Sequence, residues 1–425
     1  MVFTSCQGGD GIGPVPDGGE DLETTFDVTW DQSATVIDED HLGLVKDVDP
    51  DNHRYTLDAD GVQAAGLDIS AGRVLVIHGI ALRKITSVQQ DGQNLVVDTE
   101  FAALPEAIEE GTIEWDYGVR FTEDTITAPS VAGQVMPRVP GTVEPQFKFT
   151  YGDYTYDIKI TPQGDKVTFN FTLEKDLPGP AGAKLVAEGF VQRFRHRGRI
   201  SITDNKVDEF VNRLDKMQGQ ATVKVIMAGS GRDVINYKPD FTLISLNFLV
   251  GPVPMKLGIS AQFVINASVP VEGSANLRLT IDYDSDLGFR FSGGTPQVEG
   301  GVRSLDQGDK RTEVGAAAAI GANFGLGFPR VKLSICESLT GWIQPAYLLG
   351  GSFTFTPPCV EVKGRFIASA GADVSAKIFG ADFKYDIWSK TLAEKEWVLF
   401  RSAECPDAAA VAAIGEPLDA AVAGR

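Results

Sequence analysis

Four arginines, Arg193, Arg195, Arg197 and Arg199, occupy alternate positions of one run. If that run is a strand, its period of two projects all four side chains from one face. Guanidinium forks in a row suit a polyanion, a sulfated or uronic sugar, or lipid headgroups. The same pattern arises without any ligand when the adjacent strand of an acidic protein carries carboxylates, and that plainer reading is preferred. A second constellation is Asp282, Asp284 and Asp286, followed by Gly288. Hard oxygen ligands at every other residue suit calcium. The terminal glutamate of an EF-hand loop is missing, so the alternative is a solvated turn. Asp47, Asp49, Asp51 and Asp58 form another acidic turn of this kind.

Signals for catalysis are sparse. His41, His53, His78 and His196 are scattered without metal-ligand spacing, and neither a G-x-S-x-G elbow nor a phosphate-cradling glycine loop is present. The carboxylate pair of a glycosidase leaves no local signature, so a polysaccharide-active enzyme remains an alternative to a protein without catalysis. Apart from calcium, no cofactor is implied.

Cysteine usage points outward from the cytoplasm. Cys336 ends one strand-like run and Cys359 begins another, so these two are expected to form a disulfide. Cys405 is then left to pair with Cys6 or to stay free. Such bridges persist in an exported compartment. Ser5 precedes Cys6, and Gln7-Gly8-Gly9-Asp10 and Pro14 follow it. A small residue before a cysteine and a Gly/Pro/acidic tether after it resemble the cleavage end of a bacterial lipoprotein signal. The resemblance implies lipid at Cys6, membrane anchoring through it, and an extracellular or envelope location. The plain alternative is a free thiol.

The chain has 425 residues and a net charge of −20, from 38 basic and 58 acidic side chains. That sign argues against nucleic acid as a partner, because phosphates demand a basic surface. With 43% hydrophobic and 23% charged residues, the composition is that of a globular protein. No apolar run of about 18 residues encodes a transmembrane helix.

These residues must be positioned by strands. From Val360 to Ile378 the even positions are apolar or small and the odd positions polar, with one lapse at Ile367. At roughly 3.3 Å per residue this strand would extend about 60 Å. Phe379-Gly380 breaks the phase, and alternation resumes over Ala381 to Ile387. A similar run covers Leu257 to Val271. Tyr154, Tyr156, Ile158 and Ile160 are answered by Val167, Phe169, Phe171 and Leu173 across Gln163-Gly164-Asp165, which reads as a hairpin. Val207, Phe210, Val211, Leu214 and Met217 fall at helical spacing, with Asp204 or Asn205 to cap and Gly219 to stop, and predict an amphipathic helix.

The resulting expectation is an all-β protein. It has a flexible leader at 1–22, a small N-terminal β domain at 23–121 and a proline-rich linker at 122–145. A large elongated antiparallel β-sandwich, or curved barrel-like sheet, with one amphipathic helix follows at 146–403, and an alanine-rich tail at 404–425. A sandwich buries its dry faces against each other and is preferred over an outer-membrane barrel, because aromatic girdles are lacking. The functional expectation is an exported surface or envelope protein with a structural, adhesive or extended-ligand-binding role, self-associating or holding surface polysaccharide. A carrier with an apolar groove for lipid is the alternative.

Overall fold

Period-two alternation builds nearly the whole chain. The computed structural model describes residues 22–131, 134–176, 182–229, 233–237, 240–269, 273–293, 295–314, 321–335, 339–355, 358–374, 388–403 and 405. The chain enters through β1 (Leu22–Trp30) and leaves it for a six-stranded mixed sheet. That sheet comprises β2 (Ala34–Ile37), β3 (Val45–Asp49), β4 (Arg54–Asp58), β5 (Val74–Ile77), β6 (Ala81–Asp91) and β7 (Asn94–Phe101). Their order is β2-β5-β6-β7-β4-β3, with β2 and β5 parallel. Ile37, Leu57, Leu75, Ile77 and Val97 form its core, with Val62 of α1 (Ala59–Ala64) packed among them. Asp58 caps that helix by accepting the Gly61 N–H at 2.8 Å.

After one helical turn, α2 (Leu104–Ala107), the chain returns in β8 (Ile108–Gly118) and pairs antiparallel with β1. Both strands belong to a different, ten-stranded sheet. Of the 23–121 span, therefore, only about 34–101 forms the separate small sheet. Among its described residues the proline-rich stretch contributes a 3-10 turn (Glu123–Thr125) and two short strands, β9 (Ser130–Val131) and β10 (Gln134–Val135). Proline lacks the N–H a ladder needs, which keeps these strands short.

The large sheet continues with β11 (Gln146–Tyr151), β12 (Tyr154–Gln163), β13 (Lys166–Asp176), β14 (Gly182–Gln192), β15 (Arg195–Thr203) and β16 (Lys206–Gly229). The expected hairpin is present: Ile158 pairs with Phe171 and Ile160 with Phe169 across a turn at Gly164, whose φ is +70°. β14 and β15 behave as one long strand broken at Arg193-Phe194. β15 pairs with the first half of β16 and β14 with the second.

The expected helix at 207–217 is instead part of the 24-residue strand β16. The register slips at two places, beside Ile202 and between Leu214 and Met217. Each bulge inserts one residue. Across them, successive buried apolar side chains fall three apart, Val207 to Phe210 and Leu214 to Met217, which imitates a helical period. The presumed cap, Asp204-Asn205, is the hairpin turn from β15 to β16, with φ of 50° and 58°. Positive φ at both central residues is the type I′ pattern that suits the strand twist.

Beyond β16 the described strands are β17 (Asp233–Tyr237), β18 (Asp240–Val250), β19 (Val253–Val269), β20 (Gly273–Ser292), β21 (Thr295–Val314), β22 (Gly321–Ile335), β23 (Leu339–Phe355), β24 (Pro358–Val374) and β25 (Trp388–Arg401). β20 and β21 extend the ten-stranded sheet beyond β16. The others form a seven-stranded sheet in the order β17-β19-β22-β23-β24-β25, with β18 also on β19. Most of the long alternation from Val360 is β24, and β25 is its antiparallel partner. The expected turn at Phe379-Gly380 and the run to Ile387 lie outside the described residues, as does the tail from 406.

The dry faces of these two curled sheets meet each other. Tyr156 crosses Phe241 with ring centroids 5.2 Å apart, Phe169 meets Phe328 at 4.8 Å, and Tyr283 meets Tyr347 at 5.9 Å. The first two pairs meet edge to face and the third is tilted, offset geometries that aromatic rings favour. The architecture is all-β and sandwich-like, with half-barrel curvature.

The disulfide differs from the expected Cys336–Cys359 pair. Cys359 is joined to Cys405, with Cα atoms 4.6 Å apart. β25 runs antiparallel to β24, so Arg401 ends opposite Glu361. The Ser402 N–H then donates to the Val360 carbonyl at 2.9 Å and delivers Cys405 to the start of β24. Spacing along the chain did not reveal this because the return strand brings the two ends together. Cys6 and Cys336 lie outside the described residues.

Candidate functional site: a charged ring around Val211

On β15, alternation sends Arg195, Arg197 and Arg199 outward and His196, Gly198 and Ile200 inward. Arg193 does not join the row. It sits in the break before β15 with φ +55°, and its guanidinium lies 4.0 Å from Asp165. The expected four-arginine stripe is therefore three arginines plus one set apart, because the break interrupts the pleat.

The three meet carboxylates on both neighbouring strands. Arg195 and Arg197 both donate to Asp116 of β8 through Nε at 2.7 Å. Arg197 also contacts Asp215 of β16 at 3.2 Å, and Asp215 accepts from Arg213 at 2.9 Å. Arg213 reaches Glu299 of β21 at 3.4 Å, and Glu299 accepts from Arg290 of β20 at 2.5 Å. Arg290 contacts Glu209 at 3.0 Å, Glu209 lies 3.5 Å from Arg199, and Arg199 lies 3.2 Å from Glu114 on β8. The alternating charges thus trace a ring that begins and ends on β8.

Val211 is at the centre. In register, Glu114 pairs with Arg199, Arg199 with Val211, and Val211 with Arg290. One rung away Arg197 stands directly opposite Arg213. Like charges so placed repel. Asp116 and Asp215 offset this, and Asp215 is only 4% exposed. Together with Glu23 and Thr25 of β1, the ring borders a depression of about 360 Å³. Its exposed ion pairs contribute roughly 0–1 kcal/mol each, so as a structural element it ties five strands together rather than driving folding.

The aspartates Asp282, Asp284 and Asp286 lie within β20, not at a strand end. Asp282 accepts from Gln220 at 2.6 Å and Asp284 from Gln218 at 3.2 Å. Arg303 bridges the pair, donating to Asp284 at 2.8 Å and to Asp286 at 2.6 Å. Among the described residues no group of three His, Cys, Asp or Glu is placed to hold a metal ion. At Asp284 and Asp286 the Arg303 guanidinium supplies the counter-charge. In the other acidic turn, Asp49 accepts from the Asn52 N–H and side chain.

Beneath the ring lies a buried polar chain. Trp115 Nε1 donates to His196 Nδ1 at 3.0 Å, and His196 Nε2 is 2.8 Å from Asn212 Oδ1. With Nδ1 accepting, the proton sits on Nε2 and is donated to Asn212. Burial pushes the imidazole pKa down to about 4. His196 is therefore neutral at pH 7 and shut off from any substrate, a packing residue rather than a base.

This has a measurable consequence. Between pH 6.5 and about 4 the unfolded chain binds a proton at His196 that the folded chain does not. Stability rises with pH in that window and falls on acidification, by about 3 kcal/mol in all. His53, also lowered by burial, acts in the same direction. Denaturant titrations from pH 7 to pH 4 are expected to show a shallower pH dependence for His196→Gln than for the native chain. Equal slopes would place the proton uptake elsewhere.

The sequence reading found Arg195, Arg197 and Arg199 but missed Glu114, Asp116, Glu209, Arg213, Asp215, Arg290 and Glu299. Glu114 and Asp116 alternate with buried Trp115 and Tyr117, which is a usable signal. Those on β16 were hidden by the helical spacing. No protein-family model, curated protein or solved structure matches this chain.

Proposed function

We propose that this chain is an exported protein without catalysis, serving a structural or adhesive role at the cell exterior and holding an extended ligand along the outer face of its ten-stranded sheet. The observation that carries the reading is the Cys359–Cys405 disulfide. Such bonds persist in oxidising compartments and are reduced in most cytosols. Lipid at Cys6 would tether the chain to an envelope. Interleaved rings between the sheets favour a scaffold over a lipid carrier, since they occupy the space an apolar ligand would need.

The test is the intact mass of the protein from its own host, measured without reduction, together with alkylation and cell fractionation. The expected result is a Cys359–Cys405 cross-linked peptide in the exported or envelope fraction. Alkylated Cys359 and Cys405 in a cytosolic fraction would overturn the proposal.

A further inference from the structure

We propose that the depression over Val211 binds a segment of neutral glycan, whose hydroxyls bridge the arginine forks and carboxylates of the ring. The inference deepens the extended-ligand reading above and rests on it. The first argument is charge. Arg195, Arg197, Arg199, Arg213 and Arg290 are matched by Glu114, Asp116, Glu209, Asp215 and Glu299. An anionic ligand would find no unmatched cation there, and it would approach a chain of net charge −20. A hydroxyl group donates to a carboxylate and accepts from a guanidinium, so a polyol uses both halves of the ring.

The second argument is spare hydrogen-bonding capacity. The hydrogen bond Arg199 makes runs from Nε to Ser201 at 3.3 Å, whereas Glu114 and Glu209 stand at ion-pair distance. Arg290 uses Nε for Glu299. These two half-exposed side chains stand opposite Val211 on the strands to either side, and Arg290 uses Nη1 for Glu209. A guanidinium has five donors, more than these contacts consume. The third argument is shape. Val211, 8% exposed, gives the floor a small apolar spot for the C–H face of a sugar ring, and Gly288, paired with Arg213 on the next strand, adds no side chain there. A volume of about 360 Å³ falls within the usual range of small-ligand sites.

The test is retardation of the full chain in native gels containing dextran, laminarin or mannan, with alginate and heparin as polyanion probes. The expected result is retardation by at least one neutral polymer, unchanged between about 0.05 and 0.5 M NaCl, as befits an uncharged ligand. Val211→Phe fills the floor, and Arg199→Gln and Arg290→Gln remove the forks. Each is expected to weaken retardation by about tenfold or more, with near-native thermal melting. Retardation by the polyanions alone, collapsing with salt, would overturn the inference. So would no retardation by any neutral polymer, or retardation that none of the three variants changes. A disulfide-bonded, exported chain with no affinity for these polymers would sink this inference and leave the export reading standing.

Discussion

Gly198→Ala is expected to destabilise the ten-stranded sheet by about 2–5 kcal/mol and to lower its melting temperature by about 5–10 °C. Gly198 faces inward on β15, directly opposite Trp115 on β8. A Cβ there would lie 1.8 Å from Cζ2 of the indole and 2.3 Å from Cε2. No rotation of a methyl group relieves such an overlap, so the ring must move. Its movement breaks the Trp115–His196 hydrogen bond and leaves buried donors and acceptors without partners. Gly301→Ala on β21 is the control, since nothing lies within 4 Å of the added atom. A melting temperature for Gly198→Ala equal to that of Gly301→Ala would show that the indole is not held against the strand.

Cys405→Ser, or reduction of the native protein, is expected to cost about 2–4 kcal/mol and to loosen β25 first. The bond closes a loop spanning 46 residues, and the chain-entropy cost of opening so long a loop is near the upper end of that range. β25 is an edge strand of the seven-stranded sheet with β24 as its ladder partner, and Val398 and Phe400 are partly exposed on it. Edge strands with exposed apolar residues are poorly held. Faster hydrogen exchange confined to β25 and the adjacent part of β24 is the expected signature. Identical exchange in the oxidised and reduced protein would show that the ladder alone secures the strand.

Much of the architecture was legible because a strand writes its dry face directly into the sequence. The Tyr154–Leu173 hairpin and the long runs of β19 and β24 needed only parity. The same rule failed at β16, where two bulges turned a spacing of two into three. A bulge is set by what the neighbouring strands require, and Lys216, with φ +61° and its N–H donating to Asp286 at 2.7 Å, is held by a residue seventy positions away.

By itself, then, the sequence determined an all-β chain of long antiparallel strands, the outward parity of Arg195, Arg197 and Arg199, and a net charge of −20. All of these follow from local period and composition. Only the tertiary structure decided which strands became neighbours. That choice set Arg197 and Arg199 between carboxylates of β8 and β16 and Arg213 and Arg290 against Glu299 of β21, assigned Cys405 to Cys359, gave Asp284 and Asp286 to Arg303, and closed a charged ring around Val211. The physical reason is that strand order and register depend on contacts between residues far apart in the chain, which no local pattern encodes.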